Sequence, residues 1–286
     1  MQQFLLLFWV AAIADLSFAL EALNADDSID DDDSCEISQI HLAVGKEPAT
    51  QMTVSFAVPY SCPVHSTVPV TAVVTYWEEG DDSNTAQAKY AKDEDIKQYN
   101  HTSCVYEDLK YVSPYFHHIR LDDLKPNTKY VYQCTLIETA EETNFVKNEL
   151  PGKQINATST SRLLGILVGN ILVESEELIF NTASVPGDGA KPLKFALIAD
   201  YGQTEISLST RDILLGDDDI GMILIAGDLA YANTMNGLWD EWFDLNEPVF
   251  SKVPTMPAPG NHEIETDNST YQIFVPYENR FGMFGN

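Results

Sequence analysis

The hydrophobic pattern changes period near Lys191, and that change limits the possible folds more than any other feature of the chain. Before it, residues 36–44, 52–58, 68–77, 115–121 and 129–136 alternate or run apolar, separated by turn chemistry such as Lys125-Pro126-Asn127. A last strand is expected late, around 177–182. Short strands of this kind predict a β-sandwich of the immunoglobulin or fibronectin type III-like class. After Lys191 the chain alternates between two patterns. Residues 192–199 form an apolar run ending at Asp200, 205–215 read as a helix capped by Thr204, and 222–226 form a second buried strand ending at Gly227-Asp228. This is a βαβ unit with a parallel pair, which predicts an α/β domain with helices over both sheet faces. Trp239, Trp242 and Phe243 share one face of a further helix that Pro248 should end. Residues 253–258 contain Pro254 and Pro257, so they can be an edge or irregular strand at best.

Open α/β sheets place ligands just beyond the carboxyl ends of their strands. Three motifs stand there: Asp200-Tyr201-Gly202, Gly227-Asp228-Leu229-Ala230-Tyr231 and Gly260-Asn261-His262-Glu263. Each alone is ordinary loop chemistry, so their order and spacing carry the inference. The side chains suit two hard or borderline cations. Asp200 can bind one, Asp228 can bridge both, and Asn261 can offer a neutral carbonyl to the second. Tyr231 discriminates among ions, because a phenol binds at low pH only when a strongly polarising ion, trivalent iron above all, displaces its proton. His262, next to a ligand, is placed to bind a substrate oxygen or donate a proton.

With Tyr231 three positions after Asp228, these motifs resemble those of the purple acid phosphatases within the metallophosphoesterases. Residues 116–121 (Phe-His-His-Ile-Arg-Leu) and 124–130 (Leu-Lys-Pro-Asn-Thr-Lys-Tyr) are similar to that family's fibronectin-like N-terminal domain. Gly202-Gln203-Thr204, Trp239-Asp240, Tyr277 and Arg280-Phe281 extend the likeness. The resemblance implies hydrolysis of small phosphate monoesters at a binuclear centre. Asp200 and Tyr231 would bind Fe(III), Asp228 would bridge, Asn261 would hold a divalent Zn, Mn or Fe, and His262 would contact the phosphate as the catalytic residue. The family draws three further histidine ligands from a V-x-x-H and a G-H-x-H, and neither occurs here. The six histidines are His41, His65, His101, His117, His118 and His262. Adjacent His117 and His118 read as strand residues. The chain is thus expected to hold one complete domain and the first part of a second. Two other readings stand beside the phosphatase: a catalytically incomplete secreted binding protein, and a related phosphoesterase acting on phytate, diphosphate or phosphodiesters.

Charge narrows the partners. Sixteen Lys and Arg face 44 Asp and Glu, a formal net charge of −28, which leaves no chain-wide basic surface for nucleic acid. The apolar run 4–14 followed by Ser17-Phe18-Ala19 reads as a signal peptide over residues 1–19. It is too short to span a bilayer, so no stable membrane insertion is expected. Residues 20–35 are an acidic linker with six aspartates between positions 26 and 33. Export agrees with three sequons, at Asn100, Asn156 and Asn268, and with four cysteines, none at zinc-ligand spacing. A hairpin centred near Pro48 would oppose Cys35 and Cys62, leaving Cys104 for Cys134. The expected order is then a sandwich over 36–185 with an insertion near 138–175, and the start of the metallophosphoesterase domain over 191–286. Within the insertion, the apolar stretch 162–173 reads as a buried strand or helix, with a surface patch for a partner as the alternative.

Overall fold

The computed structural model describes residues 35–63, 69–80, 85–106, 109–138, 155–156, 170–187, 190 and 192–283. The signal peptide, most of the acidic linker, His65, the Ala157-Thr158 part of the second sequon and the apolar stretch up to Gly169 lie outside them.

The first half is the expected two-layer sandwich. One layer holds β1 (Ser38–Val44), β2 (Met52–Val58), β5 (Ile96–Lys97) and β8 (Tyr115–Leu121) in the order β1-β2-β8-β5. The other holds β3 (Val70–Glu78), β4 (Thr85–Tyr90), β9 (Lys129–Glu138), β10 (Ile155–Asn156) and β11 (Ile171–Glu174) in the order β10-β4-β3-β9-β11. There β12 (Leu178–Asn181) also pairs with β9. A short hairpin, β6 (Asn100–Thr102) with β7 (Lys110–Val112), stands apart. Alternation along β2 decides what lies between the layers. Met52, Val54, Phe56 and Val58 point into a core with Leu42, Val74, Tyr132, Leu136 and Phe180. Ile171, Leu172 and Val173, the end of the apolar stretch, form β11 on the sandwich edge.

Cys35 and Cys62 are joined in a disulfide, as the hairpin register requires. The second expected pairing is not made. Cys134 is fully buried on β9 in the sandwich core, whereas Cys104 follows β6 on an exposed turn, and both thiols are free. Burial pushes the Cys134 thiol well above its usual range, so it stays protonated and inert. His117 and His118 also behave as strand residues. Neighbours on a strand face opposite ways, so His117 stacks on Phe56 at 5.0 Å between ring centres. The other ring reaches Ser55 Oγ at 2.8 Å and the Asn279 carbonyl at 3.0 Å.

The second half carries β13 (Lys194–Ile198), α1 (Glu205–Leu215), β14 (Ile220–Ala226), α2 (Gly237–Phe250), β15 (Thr255–Ala258) and α3 (Val275–Arg280). The three strands are parallel with β14 in the middle. Thr204 caps α1 by a reciprocal pair of bonds with Ser207. Pro248 does not end α2 but sits in its last turn, since proline adopts helical φ and forfeits only one bond there. The sheet also departs from the expected two-sided burial. Ile223, Ile225, Thr255 and Pro257 are buried on one face. The other carries Phe195 and Leu197, 56% and 67% exposed, beside half-buried Met222, Leu224 and Met256. Among the described residues nothing covers that face.

The two halves meet across the outer face of β1, β2 and β8, which is why polar residues there are buried. Arg280 is the centre of the seam, with no exposed surface. Its guanidinium donates to Asp240 Oδ1 (2.8 Å), Gln39 Oε1 (3.2 Å), Tyr99 OH (3.0 Å) and Tyr111 OH (2.7 Å), and it lies over the Phe116 ring. Planar geometry with several fixed donors suits arginine to such a hub.

Candidate metal centre

Hydrogen bonding between the parallel strands continues past their ends. Backbone N–H groups of Asp200, Tyr201 and Gly202 donate to the carbonyls of Gly227, Asp228 and Leu229 at 3.1, 2.9 and 2.7 Å. This zipper brings the first two motifs side by side. Glycine permits the third to approach: a Cβ at Gly260 would stand 2.5 Å from the Asp228 nitrogen, and one at Gly227 would stand 2.8 Å from the Gly260 Cα. Asp200, Asp228, Tyr231 and Asn233 all take left-handed φ, between 50° and 54°. Non-glycine residues rarely do, and such conformations gather at sites that surrounding bonds over-determine.

Side chains from the three motifs come into contact. Tyr231 donates its hydroxyl to Asp200 Oδ1 at 3.0 Å. Asp228 Oδ1 accepts the His262 backbone N–H at 3.0 Å, which sets the second motif against the third. The His262 ring lies 4.3 Å from the Tyr231 ring, centre to centre. Asp200 and Asn261 are exposed, and Asp228, Tyr231 and His262 half-buried, so the cluster opens to solvent. Burial, reinforced by the Asp200 bond and by Asp200, Asp228 and Glu263 nearby, raises the Tyr231 phenol above its ordinary value. The metal-free site therefore keeps the phenol protonated, and only a strongly polarising cation would displace that proton. Among the described residues no group of three His, Cys, Asp or Glu is placed to hold a metal ion. The donors brought together are oxygens of two aspartates and a tyrosine, with Asn261 beside them, a set that fits a hard cation. His41, His101 and His117 are buried and His118 half-buried in the sandwich and its seam, and none of them is bonded to the cluster.

Two residues that sequence reasoning left without a role shape the cluster. Asn233 donates from Nδ2 to the Tyr231 carbonyl (3.1 Å), so its Oδ1 faces His262 Nδ1 at 2.8 Å. A carbonyl accepts only the amide's NH₂ end, which fixes the amide and makes Nδ1 of His262 the donor. Glu263 is 1% exposed, and its carboxylate collects backbone N–H groups from the second and third motifs. Its position inside the third motif was the available signal. The sandwich hairpin supports the second loop from outside, with Ser103 Oγ and Thr234 Oγ1 2.7 Å apart and Tyr99 OH donating to Asn236 Oδ1 at 2.8 Å.

The sandwich, the parallel sheet and this cluster have counterparts among known proteins. A family model described as the purple acid phosphatase N-terminal domain matches residues 37–147. Purple acid phosphatase 23 of Arabidopsis thaliana is 30% identical over 199 residues, 61% of this chain and 36% of that protein. Purple acid phosphatase 1 of Ipomoea batatas is 26% identical over 250 residues, covering 85% of this chain and 41% of its own length. Residues 37–147 thus match the N-terminal domain of the purple acid phosphatases, and the similarity to members of that family extends over most of the chain. A solved purple acid phosphatase from yellow lupin (Lupinus luteus) seeds shares the fold, with a TM-score of 0.63 and 20% identity over 86% of this chain and 40% of that one. Another purple acid phosphatase relative, 27% identical over 251 residues (85% of this chain, 42% of the relative), is named Fe(3+)-Zn(2+) purple acid phosphatase 12 of Arabidopsis thaliana. The chain spans about two fifths of the length of these curated relatives. Among the described residues no helix is long and apolar enough to cross a membrane.

Proposed function

We propose that the chain supplies one side of a binuclear centre that hydrolyses small phosphate monoesters to alcohol and inorganic phosphate. The carrying observation is the Tyr231 hydroxyl 3.0 Å from Asp200 Oδ1, with Asp228 and His262 bonded alongside. Asp200 and Tyr231 would hold Fe(III), Asp228 would bridge to a divalent Zn, Mn or Fe, and Asn261 would offer its carbonyl to that second ion. When bound, such a metal pair supplies charge neutralisation for the phosphate and a more acidic water.

The remaining work belongs to this chain's side chains. With Nδ1 of His262 donating to Asn233, Nε2 is the nitrogen left for substrate. Neutral, it accepts a hydrogen bond from a phosphate or alcohol oxygen's proton; protonated, it donates to a departing alkoxide. The Tyr231 ring packed on the imidazole limits its rotation, so Nε2 keeps its aim. Left-handed backbone at Asp200, Asp228 and Tyr231 turns three side chains toward one point without a long loop. The net charge of −28 disfavours polyanions such as nucleic acid, which leaves small substrates as the partners this reading supports.

Export to the extracellular space belongs to the same reading. It is supported by the Cys35–Cys62 disulfide and by exposed Asn100 and Asn268, two of the sequon asparagines. A division into a sandwich over 36–185 and an α/β portion over 191–286 belongs to the same reading, supported by the change of sheet between β12 and β13. Ferric titration tests the centre. A visible phenolate charge-transfer band is expected in the wild-type chain and should vanish in Tyr231→Phe. A wild-type chain that binds iron without that band would rule out Tyr231 as a ligand.

A further inference from the structure

Glu263 is almost fully buried although it is acidic and lies beside two other carboxylates. Both of its oxygens are occupied. Oε2 accepts from the backbone of Asp228 (2.9 Å) and Gly260 (2.7 Å), and Oε1 accepts from that of Leu229 (2.8 Å). The donors come from two loops, one after β14 and one after β15. Ladder bonds join the loop after β13 to that after β14, but among the described residues none crosses from 227–229 to 260–263. The Glu263 carboxylate bridges that gap, together with the His262 bond to Asp228 Oδ1.

We propose that Glu263 is a positioning residue for the metal centre: it sets the distance between Asp228 and Asn261 by clamping their loops, and is not itself a ligand. This rests on the metal-centre reading above. A carboxylate that accepts three N–H bonds at 1% exposure offers nothing to an ion in the solvent-facing cluster of Asp200 and Tyr231. Charge-assisted bonds of this kind are short and roughly twice as strong as neutral ones. Glutamine cannot replace it, because an amide has one accepting oxygen and its NH₂ would face an N–H donor. Aspartate keeps both acceptors but is one methylene short of spanning both loops.

The test compares wild type, Glu263→Gln and Glu263→Asp in two measurements. In the metal-free protein, amide exchange at Asp228, Leu229 and Gly260 should speed up roughly tenfold or more in Glu263→Gln while the β1–β2 amides stay protected. In ferric titration read by the phenolate band, affinity should fall about 10–100-fold in Glu263→Gln, the range for residues that orient ligands. Glu263→Asp should lie between and serves if the glutamine variant does not fold. Unchanged exchange at the three amides would overturn the clamp. Faster exchange with unchanged ferric affinity would overturn its positioning role. Absence of the band in wild type would overturn the metal reading and this proposal with it, and the exchange data identify that case separately.

Discussion

The four-stranded sheet of the sandwich and the three-stranded parallel sheet both present two faces, and they treat the second face differently. In the sandwich, β2 is buried along its whole length: one face fills the core, and the other meets the α/β half through Ser55, Ala57 and their neighbours. The parallel sheet buries Ile223 and Ile225 under the helical side and leaves Phe195 and Leu197 in solvent. Apolar content is similar, so composition does not decide coverage. What decides it is whether another element brings matching groups. The sandwich's outer face obtains them from α2 and α3, where Asp240 and Arg280 satisfy polar strand residues that would otherwise face water.

The strongest way to break this comparison is to remove the group that joins the halves. Arg280→Ala removes the buried cation that pairs with Asp240 and donates to the Tyr99 and Tyr111 hydroxyls, leaving Asp240 only its bonds from Gln39 Nε2 and Tyr111 OH. Loss of one partner from a buried, hydrogen-bonded charge pair is expected to cost about 3–5 kcal/mol. Urea unfolding followed by tryptophan fluorescence and far-UV circular dichroism should change from one transition to two. Of the four tryptophans, Trp239 and Trp242 lie on α2 and Trp77 on β3, so fluorescence is weighted toward the α/β half. A single cooperative transition with less than about 1 kcal/mol lost would show that Arg280 does not couple the halves.

A smaller contrast sharpens it. Leu42 is fully buried in the sandwich core and Leu197 is 67% exposed on the open sheet face. Leu42→Ala should destabilise by about 2–5 kcal/mol, because the cavity adds to the lost transfer energy, whereas Leu197→Ala should stay within about 0.5 kcal/mol. Equal losses at the two positions, read from denaturation midpoints, would mean that the parallel sheet's outer face is covered in solution.

The same contrast explains how much could be read in advance. Strands 52–58, 115–121 and 129–136 were legible because alternation and turn residues are local signals, and so was α1 with its Thr204 cap. The meeting of the three motifs was legible because strand ends give Asp200, Asp228 and Gly260 fixed neighbours. Coverage was not legible: an apolar strand looks alike whether an element packs on it or not, and β13 read as buried. The Cys104 and Cys134 pairing failed for a related reason, since elimination ignores that one thiol sits inside a core and the other on a turn. Arg280 gave no local sign of its hub role, because its partners lie as far away in sequence as Gln39. Glu263 was visible as a letter in a motif, but its three backbone donors appear only when two loops are folded together.

The seam also sets a weak dependence on acidity, which gives the finest test of the comparison. Burial pushes the Glu247 carboxyl on α2 up to about 7, opposed by the Ile40 backbone N–H that it accepts at 3.3 Å. The folded chain therefore keeps this proton to near pH 7, while the unfolded chain releases it near 4.5. Glu247 accordingly lowers stability as pH rises through that window. Burial holds His41 and His118 down at about 3 and about 4, so the unfolded chain takes up their protons near 6.5 while the folded chain stays neutral. Those two groups lower stability as pH falls below 6.5. Opposed in this way, they place the seam's optimum near pH 6.5. Glu247→Gln removes only the first contribution. Its stability relative to wild type should grow from pH 4.5 to 7 by on the order of 1–2 kcal/mol, after discounting for partial exposure, and stay level above. The melting-temperature difference between the two proteins, followed across that range, checks it. A difference that is flat with pH would show that Glu247 ionises freely and that the seam is wetter than the sandwich core behind it.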